Sequence, residues 1–193
     1  INGVKTFITN GGLADIYIVV ASTDPSLKGK GLSCFIVERN RPGVSVGAEE
    51  NKMGIRLSNT TEVVFDNVRI PASNLIGKEN EGFKYVMRAL EKSRPVAIAP
   101  VIGLAQRALD EAVEYSKTRI VFGKPICQNQ GIRFKLADME MRIEAARQLM
   151  LYACRLVDKG KPIGNHGSIA KAYASEAAVY VTNEALQIFG GYG

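Results

Sequence analysis

The sequence predicts an α+β protein in which an antiparallel β-domain, either a barrel or a sandwich, is followed by an antiparallel helical bundle. Three observations support this prediction. Short segments rich in β-branched and aromatic residues fill the first third, apolar residues at helical spacing fill the rest, and the two kinds of segment do not alternate. The change falls between Pro71 and Gly77. We therefore expect a β-domain over residues 1–73 and a helical domain over residues 74–193.

Composition excludes several classes of protein. Of the 193 residues 46% are apolar and 23% are charged, which is typical of a folded chain. Three cysteines are too few for a disulfide scaffold, and no run approaches ~20 uninterrupted apolar residues, so we expect no stable membrane insertion. The net charge of +6 comes from basic residues interspersed with acidic ones, so we expect no nucleic-acid binding; a phosphate-rich ligand remains an alternative.

Five short strands are predicted in the first third of the chain. Residues 4–9 alternate in polarity, and Asn10-Gly11 after them is typical of a hairpin turn. Further strand-like segments are residues 15–21, 32–38, 43–46 and 62–70. Loop residues separate them, which favours an antiparallel arrangement.

Three long helices are predicted in the remaining two thirds. Residues 82–117 form the first, with a kink at Pro95. Gly123-Lys124-Pro125 then separates it from the next helix. The third, Ala-rich helix covers residues 168–189. In the second helix, apolar residues recur at steps of four and three, which is typical of a bundle seam. The seam residues are Ile132, Leu136, Met139, Ile143, Ala146, Met150, Ala153 and Val157.

Signatures of several other chemistries are absent. The sequence has no GxGxxG, Walker, HExxH or GxSxG pattern. His166 is the only histidine, and the cysteines have no CxxC spacing, so we expect no metal site.

Four short segments interrupt the packing pattern: residues 7–11, 91–95, 119–125 and 187–191. In the third, Arg119 could pair with a diphosphate while the ring of Phe122 covers an apolar neighbour. In the fourth, glycines after Gln187 let the backbone approach a phosphate or a ribose closely. Each segment is a weak signal when taken singly.

In this order and at these separations, the segments resemble the acyl-CoA dehydrogenase family over essentially the whole chain. Residues 7–11 look like the family's W-I-T-N-G strand, with Phe7 in place of the usual Trp. Residues 51–58 and 64–71 are similar to its middle β-domain. The remaining matches are Gly82-Phe83, Arg94, residues 103–108, Arg119-x-x-Phe122-Gly123-Lys124-Pro125-Ile126, Gln130 and Gln187-Ile188-x-Gly190-Gly191.

The resemblance implies a fold and an activity. The family fold is an N-terminal helical domain, a middle β-domain and a C-terminal four-helix bundle, usually assembled as a tetramer that is a dimer of dimers. Its members use FAD to oxidise an acyl-CoA to the trans-2-enoyl-CoA in fatty acid β-oxidation. A glutamate removes the α-proton, the β-hydride goes to flavin N5, and the electrons pass to electron-transferring flavoprotein.

The resemblance also implies roles for residues of this chain. Phe7, Ile8 and Thr9 should line the isoalloxazine ring. Residues further along should reach across a dimer interface to the partner's FAD, and four others should meet the CoA moiety and the substrate entrance. The first group is Arg119, Phe122, Asn129, Gln130, Gln187, Gly190 and Gly191, and the second is Glu91, Lys92, Ser93 and Arg94.

No catalytic residue is assigned within the sequence. Most members carry the glutamate shortly after the Gln-Ile-x-Gly-Gly segment, which would place it beyond Gly193, and a minority carry it at the position of Ser93. Serine is not a base near neutral pH, and Glu91 lies two residues away on a different face of the helix. We therefore expect a chain that is truncated at both ends and inactive alone, from a short- or medium-chain type of enzyme.

Other branches of the family remain open. One is an offshoot that uses oxygen as the electron acceptor, such as an acyl-CoA oxidase or nitroalkane oxidase. Another is the DNA-associated flavoprotein branch, although the basic residues here are dispersed. The expected compartment is the mitochondrial matrix for a eukaryotic source or the cytoplasm for a bacterial one.

Overall fold

The computed structural model describes all 193 residues and divides them into two compact units, Ile1–Met87 and Arg88–Gly193. The first unit contains two antiparallel three-stranded sheets, with strand orders β1-β5-β4 and β2-β3-β6. The strands are β1 (Gly3–Thr9), β2 (Ile16–Ser22), β3 (Leu32–Glu38), β4 (Val44–Glu49), β5 (Thr60–Phe65) and β6 (Leu75–Ile76).

The two sheets share one apolar core. Tyr17 and Val37 come from β2 and β3, whereas Val63 and Phe65 come from β5, and all four are buried in a single cluster. The rings of Tyr17 and Phe65 meet edge to face, with centroids 6.4 Å apart. Alternate residues of β2 and β5 therefore point between the sheets, as in a sandwich. The predicted antiparallel β-domain is confirmed.

The hairpin predicted at Asn10-Gly11 is wrong. A turn does form there, with Asn10 at a φ of 58°, but β1 pairs with β5 and β2 pairs with β3. Asn59, just before β5, holds the turn: its carbonyl accepts from the Asn10 N–H at 2.8 Å and its Oδ1 accepts from the Gly12 N–H at 2.9 Å. The turn therefore carries the chain from one sheet to the other.

Both outer strands of the first sheet contain a bulge. The register of β1 against β5 shifts by one residue between Lys5 and Ile8, and β4 has the same shift between Val46 and Glu49. Phe7 lies in the β1 bulge at a φ of 55°, and its side chain is 72% exposed. A bulge reorients side chains locally, which explains why this aromatic residue leaves the core.

The second unit is a helical bundle. The helices of the chain are α1 (Gly82–Ala97), α2 (Ala99–Thr118), α3 (Gln130–Asp158) and α4 (His166–Phe189). On α3, Met139 and Ile143 are buried, so the predicted seam faces the core. Lys135 pairs with Glu184, and further along α3 Arg142 lies over the ring of Tyr180, so α3 and α4 run antiparallel. The predicted antiparallel bundle is confirmed.

The first predicted helix is two helices. Pro95 lies inside α1 and Pro100 lies in the first turn of α2, with the break at Ile98. Each proline lacks an N–H and cannot donate to the preceding turn. The expected interruption divides the predicted helix at Ile98, which itself keeps helical backbone angles, so the chain has four helices rather than three.

Candidate functional site

The first candidate segment, Phe7 to Thr9, ends β1. Ile8 and Thr9 line an open cavity of about 370 Å³ between β1 and β2, whereas Phe7 does not. The Thr9 hydroxyl forms no hydrogen bond within the chain and is exposed. The structure thus separates an exposed ring from a free hydroxyl that lies beside a concave surface.

The turn that follows this segment is closely packed. The Tyr17 hydroxyl donates to the Gly11 carbonyl at 2.6 Å, and burial raises the pKa of Tyr17. A side chain at Gly11 would overlap the Thr61 hydroxyl, whose buried oxygen has no hydrogen-bond partner. Only glycine fits at this position, so the turn holds Thr9 in a defined place.

The second candidate segment is a hairpin formed by β7 (Ile120–Val121) and β8 (Lys124–Pro125). Val121 pairs with Lys124, which leaves a two-residue loop of Phe122 and Gly123. Both loop residues have positive φ, 52° and 77°, which is typical of a type I′ turn. Phe122 is 100% exposed at the tip. The segment that was predicted only to separate two helices is therefore an ordered β-hairpin with an aromatic ring at its tip.

The structure brings the base of this hairpin close to the end of α4. Tyr115, one turn before Arg119, stacks on Phe189 with ring centroids 4.4 Å apart. Arg119 accepts a hydrogen bond from the Ile126 N–H through its carbonyl, while its guanidinium forms no ion pair or hydrogen bond. The hairpin and the segment from Gln187 onward therefore lie in one region of the second unit.

Glycine is required at the end of α4. Gly190 has a φ of 63°, and its N–H donates to the carbonyls of Leu186 and Gln187. This N–H is already used in capping the helix, so Gly191 is the better placed of the pair for a backbone contact with a ligand. The side chain of Gln187 is exposed and has no partner.

Two polar side chains at the start of α3 are also free. Asn129 occupies the N-cap position, yet its side chain forms no capping hydrogen bond. Gln130 is exposed and its side chain has no hydrogen-bond partner. The Asn129 N–H donates to the carbonyl of Ile126 at 3.0 Å, and Ile126 directly follows β8. The two side-chain amides therefore lie close to the base of the hairpin.

The four residues from Glu91 to Arg94 do not form one surface. The Ser93 hydroxyl donates back to the Leu90 carbonyl at 3.2 Å, and the Arg94 guanidinium donates to the Ser168 hydroxyl of α4 at 2.9 Å. Glu91 and Lys92 instead line a cleft with residues of the loop between α3 and α4. Arg94 thus has a partner inside the bundle, which fixes its position on α1.

Sequence reasoning missed the other basic residues of this cleft, Arg88 and Lys161. The available signal was Gly160, a glycine directly after a long periodic helix. No group of histidine, cysteine or acidic residues has the geometry of a metal site. No helix combines the length and apolar character that crossing a membrane requires.

Comparisons with known proteins cover the whole chain. The model of the acyl-CoA dehydrogenase middle domain matches residues 1–68, and that of the C-terminal domain matches residues 80–193. The short-chain-specific acyl-CoA dehydrogenase of Megasphaera elsdenii is 52% identical over 193 residues, which are 100% of this chain and 50% of that protein. The acyl-CoA dehydrogenase of Bacillus subtilis (strain 168) is 51% identical over 100% of this chain and 51% of its own length.

The structure of butyryl-CoA dehydrogenase from Megasphaera elsdenii superimposes with a TM-score of 0.96 and 52% identity, covering 99% of this chain and 50% of that one. The chain thus spans about half the length of these relatives. Since family models cover both units and the fold agrees, the chain belongs to the acyl-CoA dehydrogenase family.

Proposed function

We propose that the protein containing this chain is an FAD-dependent acyl-CoA dehydrogenase that oxidises a short- or medium-chain acyl-CoA to the trans-2-enoyl-CoA. The observation that carries the proposal is the 52% identity, over the whole chain, to a short-chain-specific acyl-CoA dehydrogenase. The electron acceptor in this proposal is electron-transferring flavoprotein. Because these relatives come from bacteria, the proposed compartment is the bacterial cytoplasm.

The free groups of the candidate segments fit FAD. A flavin dinucleotide has a planar ring, hydroxyl groups and a doubly charged diphosphate. The chain offers a fully exposed ring at Phe122, an unpaired guanidinium at Arg119 and an unpaired hydroxyl at Thr9. Bound FAD would supply the acceptor for the two electrons that leave the substrate with the hydride of its β-carbon.

Each of these side chains has a separate role in the proposal. The Arg119 guanidinium pairs with the diphosphate, because a planar fork of N–H groups matches phosphoryl oxygens. Phe122 covers an apolar face of the dinucleotide, and Thr9 donates a hydrogen bond to the ring system. Ile8 packs beside that ring. Phe7 can stack on it but, unlike tryptophan, has no indole N–H to donate.

The remaining cofactor residues require a second copy of the chain. We place Asn129, Gln130, Gln187, Gly190 and Gly191 against the FAD of a neighbouring subunit. Their free side-chain amides, together with the Gly191 N–H, suit sugar hydroxyls and phosphate oxygens. The proposed assembly is accordingly a homotetramer built as a dimer of dimers.

The substrate side of the proposal uses α1. In the proposal the Arg94 guanidinium, which donates to Ser168, and the neighbouring Glu91, Lys92 and Ser93 of the same helix meet the CoA moiety and the substrate entrance. The base that takes the α-proton is a glutamate outside residues 1–193, because the Ser93 hydroxyl cannot act as one. We also propose that the β-domain ends at residue 73 and that the helical domain begins at residue 74.

A direct test uses the whole protein under anaerobic conditions. Addition of butyryl-CoA is expected to bleach the flavin absorbance, and reoxidation should require electron-transferring flavoprotein. In a parallel aerobic assay, oxygen consumption without that acceptor would support the oxidase alternative instead. A colourless, monomeric protein that ignores added flavin would refute the proposal.

The role of Arg119 has its own test. Arg119→Ala removes the guanidinium that we assign to the diphosphate and is expected to lower the flavin retained after gel filtration. Arg107→Ala, an exposed arginine of α2 that pairs with Glu111, is the matched control. Equal flavin content in both variants would rule out the assigned role.

A further inference from the structure

A second concave surface, which we call the basic cleft, lies within the unit Arg88–Gly193. It is formed by α1 and by the end of α3 with the loop that leads to α4, and its volume is about 490 Å³. Its lining residues are Arg88, Glu91, Lys92, Val157, Gly160, Lys161, Pro162 and Ile163.

The cations of the basic cleft have no partners. Arg88, Lys92 and Lys161 form no ion pair and no side-chain hydrogen bond, even though Glu91 lines the same surface. By contrast, Arg107, Lys117 and Arg147 on α2 and α3 pair with carboxylates three or four residues away. Three cations and one carboxylate leave two positive charges in excess.

Two of these cations repel one another on α1. Arg88 and Lys92 are four residues apart and therefore lie on the same face of the helix. Like charges at this spacing weaken an isolated helix, so the pair has an electrostatic cost. A bound anion between them would turn that repulsion into attraction for both side chains.

The end of α3 fixes the backbone that carries the third cation, Lys161. Gly160, at a φ of 63°, donates to the Val157 carbonyl at 2.9 Å, and Lys161 donates from its N–H to the Leu156 carbonyl at 2.9 Å. These two hydrogen bonds form a Schellman motif. Ile163 is only 3% exposed and anchors the loop beyond it. The backbone of Lys161 is therefore fixed opposite α1.

We propose that the basic cleft binds a phosphate monoester dianion. The excess of two positive charges balances such a group, and the donors of Arg88, Lys92 and Lys161 suit phosphoryl oxygens. Val157, Pro162 and Ile163 supply the apolar part of the lining. The site does not include Arg94, which bonds to Ser168, but it shares Glu91 and Lys92 with the segment that we place near CoA, so a CoA source of the phosphate rests on the proposed function.

The test measures binding of inorganic phosphate to the flavin-loaded whole protein by calorimetry at low ionic strength. We expect one saturable site, weakened about tenfold by Lys161→Ala and by Arg88→Ala. Lys159→Ala is the matched control, because Lys159 is an exposed neighbour that does not line the basic cleft. Added chloride should also weaken the binding. Non-saturable binding, or equal affinity in all variants, would overturn the proposal.

The source of the phosphate is decided by comparing CoA with 3′-dephospho-CoA. If the group belongs to CoA, Lys161→Ala raises the Kd for CoA but not for 3′-dephospho-CoA. If it is a free phosphate or another monoester, both CoA affinities stay unchanged while phosphate binding is still lost. Phosphate binding is measured without turnover, so this result is independent of whether the protein oxidises an acyl-CoA.

Discussion

Replacement of the Phe122 ring should separate ligand binding from folding. Phe122 is 100% exposed in this chain, so its ring contributes no burial to the fold, while its φ of 52° is costly for a bulky residue. In Phe122→Asn, the loop becomes the pair preferred in type I′ turns. We expect the free energy of unfolding of the flavin-free protein to rise by about 0.5–1 kcal/mol.

Flavin affinity should change in the opposite direction. A phenylalanine that is buried against a ligand contributes about 1.5–3 kcal/mol, so its loss should raise the Kd for FAD by roughly 10- to 100-fold. Thermal denaturation of the flavin-free protein and fluorescence titration with FAD measure the two effects. Phe122→Tyr keeps the ring and serves as the control. A variant that is less stable but binds FAD normally would refute the reasoning.

Three further changes test the fold. Gly82→Ala would place a Cβ 2.7 Å from backbone atoms of Ser33, so denaturant unfolding should show a loss of about 1–3 kcal/mol; no loss would contradict the close packing. Met139→Ala removes a side chain with 0% exposure and should cost about 2–5 kcal/mol; a smaller cost would indicate that the seam is not packed. The hydrogen bond from Arg41 lowers the pKa of Glu38 from 4.5 to about 2, so its stabilisation is complete above pH 4.5 and is lost as the pH falls towards 2. Glu38→Gln should flatten the dependence of stability on pH in that window, and an unchanged profile would contradict it.

The helices were predictable because their signal is local. Apolar spacing along α3 depends only on helix geometry, and Met139 and Ile143 are buried as expected. Strand pairing was less accessible, since Asn10-Gly11 indicates a turn but not which strands meet. The turn is instead bonded to Asn59, which precedes the partner strand β5 and lies far along the chain, so no local pattern contains that pairing.

The candidate site likewise has parts that the sequence predicted and parts that only the structure shows. A resemblance pointed to the segment from Arg119 to Pro125, but only the structure shows a two-residue hairpin with its aromatic ring in solvent. The basic cleft joins Arg88 to Lys161, residues that are distant in sequence and brought together by packing of the bundle. The glycine after α3 predicts where that helix ends, but it does not predict the direction in which the loop continues.

Backbone strain provides an independent argument for what covers these aromatics. Among non-glycine residues with positive φ, asparagines tolerate the conformation at little cost, whereas Phe7, Ile55 and Phe122 do not. All three side chains are apolar and exposed, so within this chain no burial compensates for the strained backbone. Strain of this kind persists where a bound group or a neighbouring surface compensates for it. For Phe7 and Phe122 the proposed flavin provides that compensation, and the same reasoning leads us to expect that Ile55, 83% exposed here, is covered in the assembled protein.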